Sequence, residues 1–197
     1  MTGDYSDSLI YTQLLKFPKE TTILDAGCGE GVVTEELAGK GYDVIGLDMN
    51  FSSPLVIPGD ITRMPFKDDS FELVLLLDVI EHVDFTSQIS ALVEVKRVLH
   101  PGGHLILSVP NLAHLTSRIK FLISGSLVRT ADIKKHPGDR PVNEMSSLIE
   151  SCGFRITSRT GISPTFPLFY QIVERYPSRS LLLYNLNSVN VPPTLST

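Results

Sequence analysis

The chain has 197 residues, enough for one domain with a substantial core and too few for two ordinary ones. A hydrophobic share of 42% with 20% charged residues excludes a disordered chain, and the net charge of −5 lacks the basic footprint of a nucleic-acid surface. No apolar run reaches the roughly 20 residues of a membrane span. The N-terminus Met1-Thr2-Gly3-Asp4-Tyr5 lacks the plan of a secretory signal, and Cys28 and Cys152 have neither metal nor redox spacing. A reducing cytoplasm is the expected compartment.

Along the chain two periodicities alternate. Thr21–Asp25 is a short apolar strand followed by glycines, and Val32–Ala38 has helical spacing that Gly39 and Gly41 stop. Tyr42–Asp48 and Leu55–Ile57 read as the second and third strands. Phe71–Leu77 is nearly all apolar, as expected of a strand buried on both faces. An amphipathic helix is predicted over Ser87–Leu99, then a Pro101-Gly102-Gly103 turn and a fifth strand, His104–Val109, closed by Pro110. Leu112–Ile123 and Asn143–Cys152 are predicted helices, and a sixth strand opens at Phe154–Thr157. Repeated strand–helix units imply a doubly wound, mostly parallel α/β sheet with helices on both faces. The whole of 1–197 is expected to be a single domain, with a core over about 20–160, a cover at 112–141 and a divergent tail at 162–197.

Sheets of this kind bind ligands outside the carboxyl ends of their strands, where the winding reverses. Asp25, Asp48, Asp60 and Asp78 each fall at such an end, and together they converge on one crevice. Gly27, Gly29 and Gly31 form a turn that lets a ligand approach the backbone. Dinucleotides and S-adenosylmethionine both use such turns. The dinucleotide fingerprint requires a glycine where this chain has Val32, and the carboxylate of Asp25 suits an ammonium and a sulfonium better than a pyrophosphate. Asp48 can accept hydrogen bonds from both ribose hydroxyls, Met49 can pack on an adenine face, and Asp60 with Ile61 can meet the adenine amino group and ring. Cys28 reads as a small residue wedged in the turn rather than a reactive thiol.

In order and spacing the motifs resemble those of the class I S-adenosylmethionine-dependent methyltransferases, in particular the small-molecule enzymes. They are Ile23-Leu24-Asp25-Ala26-Gly27-Cys28-Gly29-Glu30-Gly31, Gly46-Leu47-Asp48, Gly59-Asp60, Met64-Pro65-Phe66, Asp69-Ser70-Phe71, Leu77-Asp78-Val79-Ile80-Glu81-His82-Val83, Glu94-Val95-Lys96-Arg97-Val98-Leu99 and Pro101-Gly102-Gly103. The resemblance implies the Rossmann-like methyltransferase fold, S-adenosylmethionine as cofactor and S-adenosylhomocysteine as product. It implies that Asp25 and the Gly27–Gly31 loop, with Cys28 and Gly29, hold the methionine moiety, Asp48 the ribose, and Asp60 with Ile61 the adenine. Leu77 and Asp78 would close over the methionine end, and His82 would lie near the reacting methyl.

The reaction is an in-line displacement that needs a base only when the acceptor must lose a proton. His82, Asp78, His114 and His136 are the candidates, with His82 foremost among them, although packing beneath the cofactor is the favoured reading of His82. His100 and His104 read as structural. Asp78, Glu81 and His82 resemble the acid-x-x-Glu-His signature by which small-RNA 2′-O-methyltransferases and some ubiquinone-pathway O-methyltransferases hold a divalent cation, but many metal-free relatives carry the same letters, and no metal is expected. The chain lacks the Asn-Pro-Pro-Tyr type tetrapeptide after strand four that amino-methylating nucleic-acid enzymes of similar fold use, and the Pro-Cys pair of the cytosine C5 enzymes; with the acidic net charge, the resemblance implies a small-molecule, lipid or glycan-like acceptor and not nucleic acid.

In the cover, Arg118, Lys120, Arg129, Lys134, Lys135 and Arg140 interleave with Phe121, Leu122, Ile123 and Leu127, and Tyr5 and Tyr11 could reach the pocket. The tail carries Pro164, Pro167, Pro177, Pro192 and Pro193 and no clear seventh strand, which leaves a homodimer open. Two other readings compete with a methyltransferase enzyme: a non-catalytic S-adenosylmethionine-binding regulatory or partner subunit, and a nicotinamide-dependent oxidoreductase. The nature of the methylated atom is left open.

Overall fold

Parallel strands buried on both faces must offer apolar side chains in both directions, and β1 (Thr22–Ala26), β4 (Phe71–Leu77) and β5 (Leu99–Pro110) do so. Alternate residues divide between two cores, one on each face of the sheet. Leu24, Val74, Leu76, Leu105 and Leu107 join Leu92 and Val95 of α2 (Phe85–Val98) and Met145 and Ile149 of α4 (Val142–Ser151). Ile23, Leu73, Leu75 and Ile106 instead meet Leu14 and, from α1 (Val32–Gly39), Leu37. The protein is described by a computed structural model over residues 13–14, 16–110, 112, 115–126, 136–161 and 186–191.

With β2 (Asp43–Asp48), β3 (Val56–Pro58), β6 (Ser158–Gly161) and β7 (Leu186–Val191), the sheet order is β3-β2-β1-β4-β5-β7-β6. The first five strands are mutually parallel, and β7 runs antiparallel to both β5 and β6. The winding moves outward one way from β1 to β3 and the other way from β4 to β5, which opens a crevice between the carboxyl ends of β1 and β4. This is the predicted doubly wound α/β sheet with helices on both faces.

Four local differences from the sequence reading have physical causes. Helix α2 starts at Phe85 rather than Ser87 because the Asp84 carboxylate caps it, accepting from the backbone N–H of Thr86 and Ser87. The predicted Pro101-Gly102-Gly103 turn lies within β5 as an irregularity: pairing with β4 jumps from Phe71↔Leu99 to Leu73↔His104. The sixth strand begins at Ser158, not Phe154, since Phe154 turns into the core and its N–H donates to Ile149 O, finishing α4. The tail, in which no strand was legible, supplies β7 at Leu186–Val191. Helix α3, the first after β5, spans Leu115–Ser124. Tyr5, Tyr11, His114, Leu127, Arg129, Lys134, Lys135 and the prolines of the tail lie outside the described residues.

The segment between β3 and β4 is fastened to α2 by one arginine. Arg97 donates to both oxygens of Glu94 and to Asp68 at 2.8 Å, and to the carbonyls of Phe66 (2.8 Å) and Met64 (3.1 Å). Glu94 also accepts from the Met64 N–H at 2.8 Å. Arg97→Ala strands these partly buried acceptors and is expected to cost about 2 kcal/mol in urea unfolding. A loss below about 0.5 kcal/mol would mean that water replaces the guanidinium there.

Candidate cofactor site at the carboxyl ends of the strands

The loop after β1 is built for close backbone approach. Gly27, Gly29 and Gly31 have φ of 77°, 57° and 84°, all in the left-handed region. The N–H groups of Gly27 and Cys28 both donate to Leu47 O, at 2.7 and 3.2 Å, so β2 holds the loop in place. A Cβ on Gly27 would meet Val79 Cγ1 at 2.5 Å and one on Gly31 would meet Val56 Cγ2 at 2.7 Å. A Cβ on Gly29 would meet nothing within 4 Å. The loop is thus packed below and open at its crest, a cradle whose free side faces the crevice.

Asp48 ends β2 and is half-buried. Its Oδ2 accepts from the Gly29 N–H at 2.9 Å and its Oδ1 from the Asn50 N–H at 2.8 Å. One bond per oxygen leaves lone pairs for two further donors, the requirement for a vicinal diol. Next to it, Met49 is 64% exposed, an apolar side chain held out at the rim. In Asp60, Oδ1 takes both the N–H and the hydroxyl of Thr62 at 2.8 Å, which fixes the turn after β3. Ile61 is only 7% exposed and belongs to the core, so it presents no more than an edge to the crevice.

Asp25 stands differently from the other acids. It is 3% exposed, and its Oδ2 accepts from the Thr34 hydroxyl at 2.8 Å. The carboxylate therefore braces the loop and α1 from below. Burial, with the like charge of Asp48, pushes its pKa up from 3.8 to about 6. The same surroundings push the Cys28 thiol up to about 11, in keeping with a wedged, inert cysteine.

In the ligand-free chain the Asp25 carboxylate is charged above pH 6, and its desolvation then lowers stability by about 3 kcal/mol. That loss shrinks as pH falls through 6 and is gone below 3.8. Asp25→Asn carries no such charge. The wild-type chain should therefore gain about 3 kcal/mol on this variant between pH 8 and pH 4, read by urea unfolding. A pH-independent difference would contradict the assignment.

At the end of β4, Asp78 has φ 55°, an uncommon conformation for a side-chain-bearing residue. Ser108 of β5 locks it: the Asp78 N–H donates to Ser108 Oγ, and that hydroxyl donates to Asp78 Oδ1, both at 2.9 Å. Burial raises the Asp78 pKa, while the Ser108 bond and then His82 and His136 act the other way. Leu77, half-buried, closes the strand.

A 3-10 turn, Ile80–His82, follows. His82 is exposed, and its ring meets His136 edge-on at 4.5 Å between centroids. Glu81 is buried beneath them, and its pKa is pushed up to about 8 by desolvation and by Asp78 and Asp139. Burial first, and then His82, depress the His136 pKa, so this imidazole is neutral at neutral pH.

The structure thus gathers the loop glycines, Asp48, Met49, Asp60, Asp78 and His82 around one crevice and leaves Asp25 and Ile61 beneath its lining. Sequence reasoning missed Thr34 and Ser108, which orient two of the acids and carry no spacing signal. It quoted Gly46 without its reason. A Cβ there would lie 2.6 Å from Cys28 Sγ and 3.0 Å from Thr34 Oγ1, and a glycine inside a strand is the usual mark of such an approach.

The fold is a doubly wound sheet that brings the loop after β1 and Asp48 together at the carboxyl ends of its strands. Residues 24–107 match the family model described as "Methyltransferase domain". A probable S-adenosylmethionine-dependent methyltransferase of Mycolicibacterium smegmatis is 28% identical over 165 residues, covering 78% of this chain and 60% of the relative. A ubiquinone biosynthesis O-methyltransferase of Sinorhizobium fredii is 24% identical over 163 residues, covering 73% of this chain and 64% of the relative. A crystallised protein of Pyrococcus horikoshii OT3 shares the fold at a TM-score of 0.69 and 19% identity, over 98% of this chain and 93% of that one. The domain match, these relatives and the shared fold support a class I S-adenosylmethionine-dependent methyltransferase. It spans about half to two thirds of the length of the first curated relatives it matches (52%, 60% and 64%). Among the described residues no helix is long and apolar enough to cross a membrane.

Proposed function

We propose that this chain binds S-adenosylmethionine at the crevice and transfers its methyl group to a small-molecule, lipid or glycan-like acceptor. The observation that carries the reading is the joint geometry of Gly29 and Asp48. The loop crest is open above Gly29, while Asp48 is bonded to the Gly29 N–H with lone pairs to spare. In this reading Gly27, Cys28, Gly29 and Gly31, with Leu77 and Asp78, hold the methionine part, and Asp25 supports them from below. Asp48 takes the ribose hydroxyls, Met49 covers the adenine, and Asp60 with the edge of Ile61 flanks it.

Bound there, the cofactor supplies a methyl group already activated on a sulfonium. The chain's own work is alignment and exclusion of water. The Ser108 lock fixes Asp78, and so the end of β4, against the reacting side. His82, exposed at the rim beside His136, is placed to take a proton from an acceptor hydroxyl or amine, with the imidazole as the receiving group. An acidic chain with a net charge of −5 favours a small acceptor over nucleic acid. In this reading the segment 112–141, of which 113–114 and 127–135 lie outside the described residues, is the acceptor-side cover of a single domain, and Cys28 and Cys152, both free cysteines, fit a reducing cytoplasm.

The test is incubation with methyl-labelled S-adenosylmethionine and a panel of phenols, quinols, amines, fatty acids and glycans, with S-adenosylhomocysteine as the readout. Acceptor-dependent product at well above the acceptor-free rate is expected. Tight cofactor binding without product across the panel would overturn the transfer step and leave a non-catalytic binding subunit.

A further inference from the structure

One buried polar group beside the crevice has no part in holding the cofactor. Gln88, on the inward face of α2, is fully buried, and its amide meets three partners. Its Nε2 donates to Ile80 O at 2.9 Å and to Gly138 O at 2.6 Å, and its Oε1 accepts from Arg140 Nε at 2.6 Å. Both amide protons are thus engaged by backbone carbonyls. A leucine or methionine would fill the same space and need no partners. What the amide adds is a fixed geometry between the groups it joins.

The two carbonyls belong to segments that meet at the rim. Ile80 opens the 3-10 turn that carries Glu81 and His82. Gly138 lies 50 residues beyond Gln88, in the segment that carries His136 and Asp139. A further bond closes the joint, as the Gly138 N–H donates to Glu81 O at 3.0 Å. A Cβ on Gly138 would collide with the Val83 carbonyl and the Gln88 amide, so only glycine lets the segments approach this closely. On the outer side the Arg140 guanidinium lies 4.1 Å from the centre of the Phe85 ring, the first residue of α2, and anchors the far end of the clamp. Across this joint the His82 and His136 rings meet edge-on, 4.5 Å between centroids.

We propose that Gln88 is a positioning residue for the methyl acceptor: its amide fixes the 136–140 segment against the turn after β4 and so sets where the acceptor is held. The inference rests on the reading above, in which the methyl group leaves the crevice on the side of His82. Gln88 touches neither cofactor nor acceptor and acts through the segments it joins. A misplacement of about 1 Å at a reacting centre costs roughly a hundredfold in rate, so a clamp of this kind has a large lever. The loop after β1 and Asp48 are fixed by Leu47 O and by each other, and Asp78 by Ser108, so release of the clamp leaves the cofactor's holders in place. A carboxylate of the same shape has no proton for either carbonyl, and Gln88→Glu would set a charge against both.

The test uses the full chain with Gln88→Met and Gln88→Glu, and with Arg140→Ala as a milder release at the half-buried outer end. In a proton–carbon correlation spectrum the ring signals of His82 and His136 are expected to shift in all three variants, most in Gln88→Glu, while those of His100 and His104 stay. Calorimetric titration should give a Kd for S-adenosylhomocysteine within twofold of the wild type. With the acceptor that yields most product in the labelled panel, kcat/KM for that acceptor should fall at least tenfold in Gln88→Met and Gln88→Glu. A purely structural role would instead lower cofactor affinity and acceptor efficiency together. Unmoved His82 and His136 signals in Gln88→Met and Arg140→Ala, or a loss of cofactor affinity as large as the loss for the acceptor, would overturn the proposal. The ring signals need no acceptor: a panel without product counts against the transfer step, and the signals then decide the proposal. A wild-type chain that binds no S-adenosylhomocysteine counts against the cofactor site and takes this inference with it.

Discussion

Gly27→Ala is expected to lower both the stability of the chain and its affinity for S-adenosylmethionine. The residue has φ 77°, where an added side chain costs roughly 1–2 kcal/mol. Its Cβ would also stand 2.5 Å from Val79 Cγ1, so the start of the turn that carries Glu81 and His82 must move. The two donors to Leu47 O would be dragged with it. The expected sum is a loss of about 3 kcal/mol in urea unfolding and a fall of roughly a hundredfold in affinity. Gly29→Ala is the informative contrast, because a Cβ there meets nothing within 4 Å. It should cost the fold only about 1 kcal/mol while still obstructing the cradle, so binding falls more than stability. Equal effects of the two variants on unfolding would contradict the picture of a loop packed below and open above.

The second large effect is expected at Asp48. Asp48→Ala removes the acceptor for the Gly29 N–H and the charge that would meet two ribose hydroxyls. Hydrogen bonds to a charged group are worth about 1.5–3 kcal/mol each, so the loss of binding should be about 3 kcal/mol, or roughly a hundredfold in Kd. The side chain is half-buried and at a strand end, so unfolding should change by only about 1 kcal/mol. Asp48→Asn keeps the shape without the charge and should fall between. Calorimetric titration of the three proteins with S-adenosylmethionine reads this directly. An affinity untouched by Asp48→Ala would remove Asp48 from the site.

Much of this site was legible because parallel strands broadcast themselves. Buried apolar runs such as Phe71–Leu77 locate the strands, and in a doubly wound sheet their carboxyl ends share one edge, so Asp48, Asp60 and Asp78 could be brought together on paper. The depth of each residue was not legible. Asp25 and Asp48 both read as acids that close a strand, yet Asp25 pairs with Gly46 and is buried against Thr34, while Asp48 stands two residues further out and is half-buried. The register and the close approach of Cys28 and Thr34 to Gly46 are contacts that periodicity does not encode. Pairings between distant segments were hidden for the same reason. The polar, four-residue β6 finds β7 across a long separation, and His136 meets His82 in a segment that Gln88 holds by donating to Gly138 O at 2.6 Å. Where a residue's role depends on one such clamp, spacing along the chain carries no trace of it.

The central claim is that the Gly27–Gly31 loop and Asp48 form an S-adenosylmethionine site. Native mass spectrometry of the chain with equimolar S-adenosylhomocysteine and NAD tests it most directly, run side by side with Asp48→Ala. The account predicts a single S-adenosylhomocysteine adduct on the wild-type chain that is lost in the variant. An NAD adduct instead, or an S-adenosylhomocysteine adduct that survives in Asp48→Ala, would contradict it.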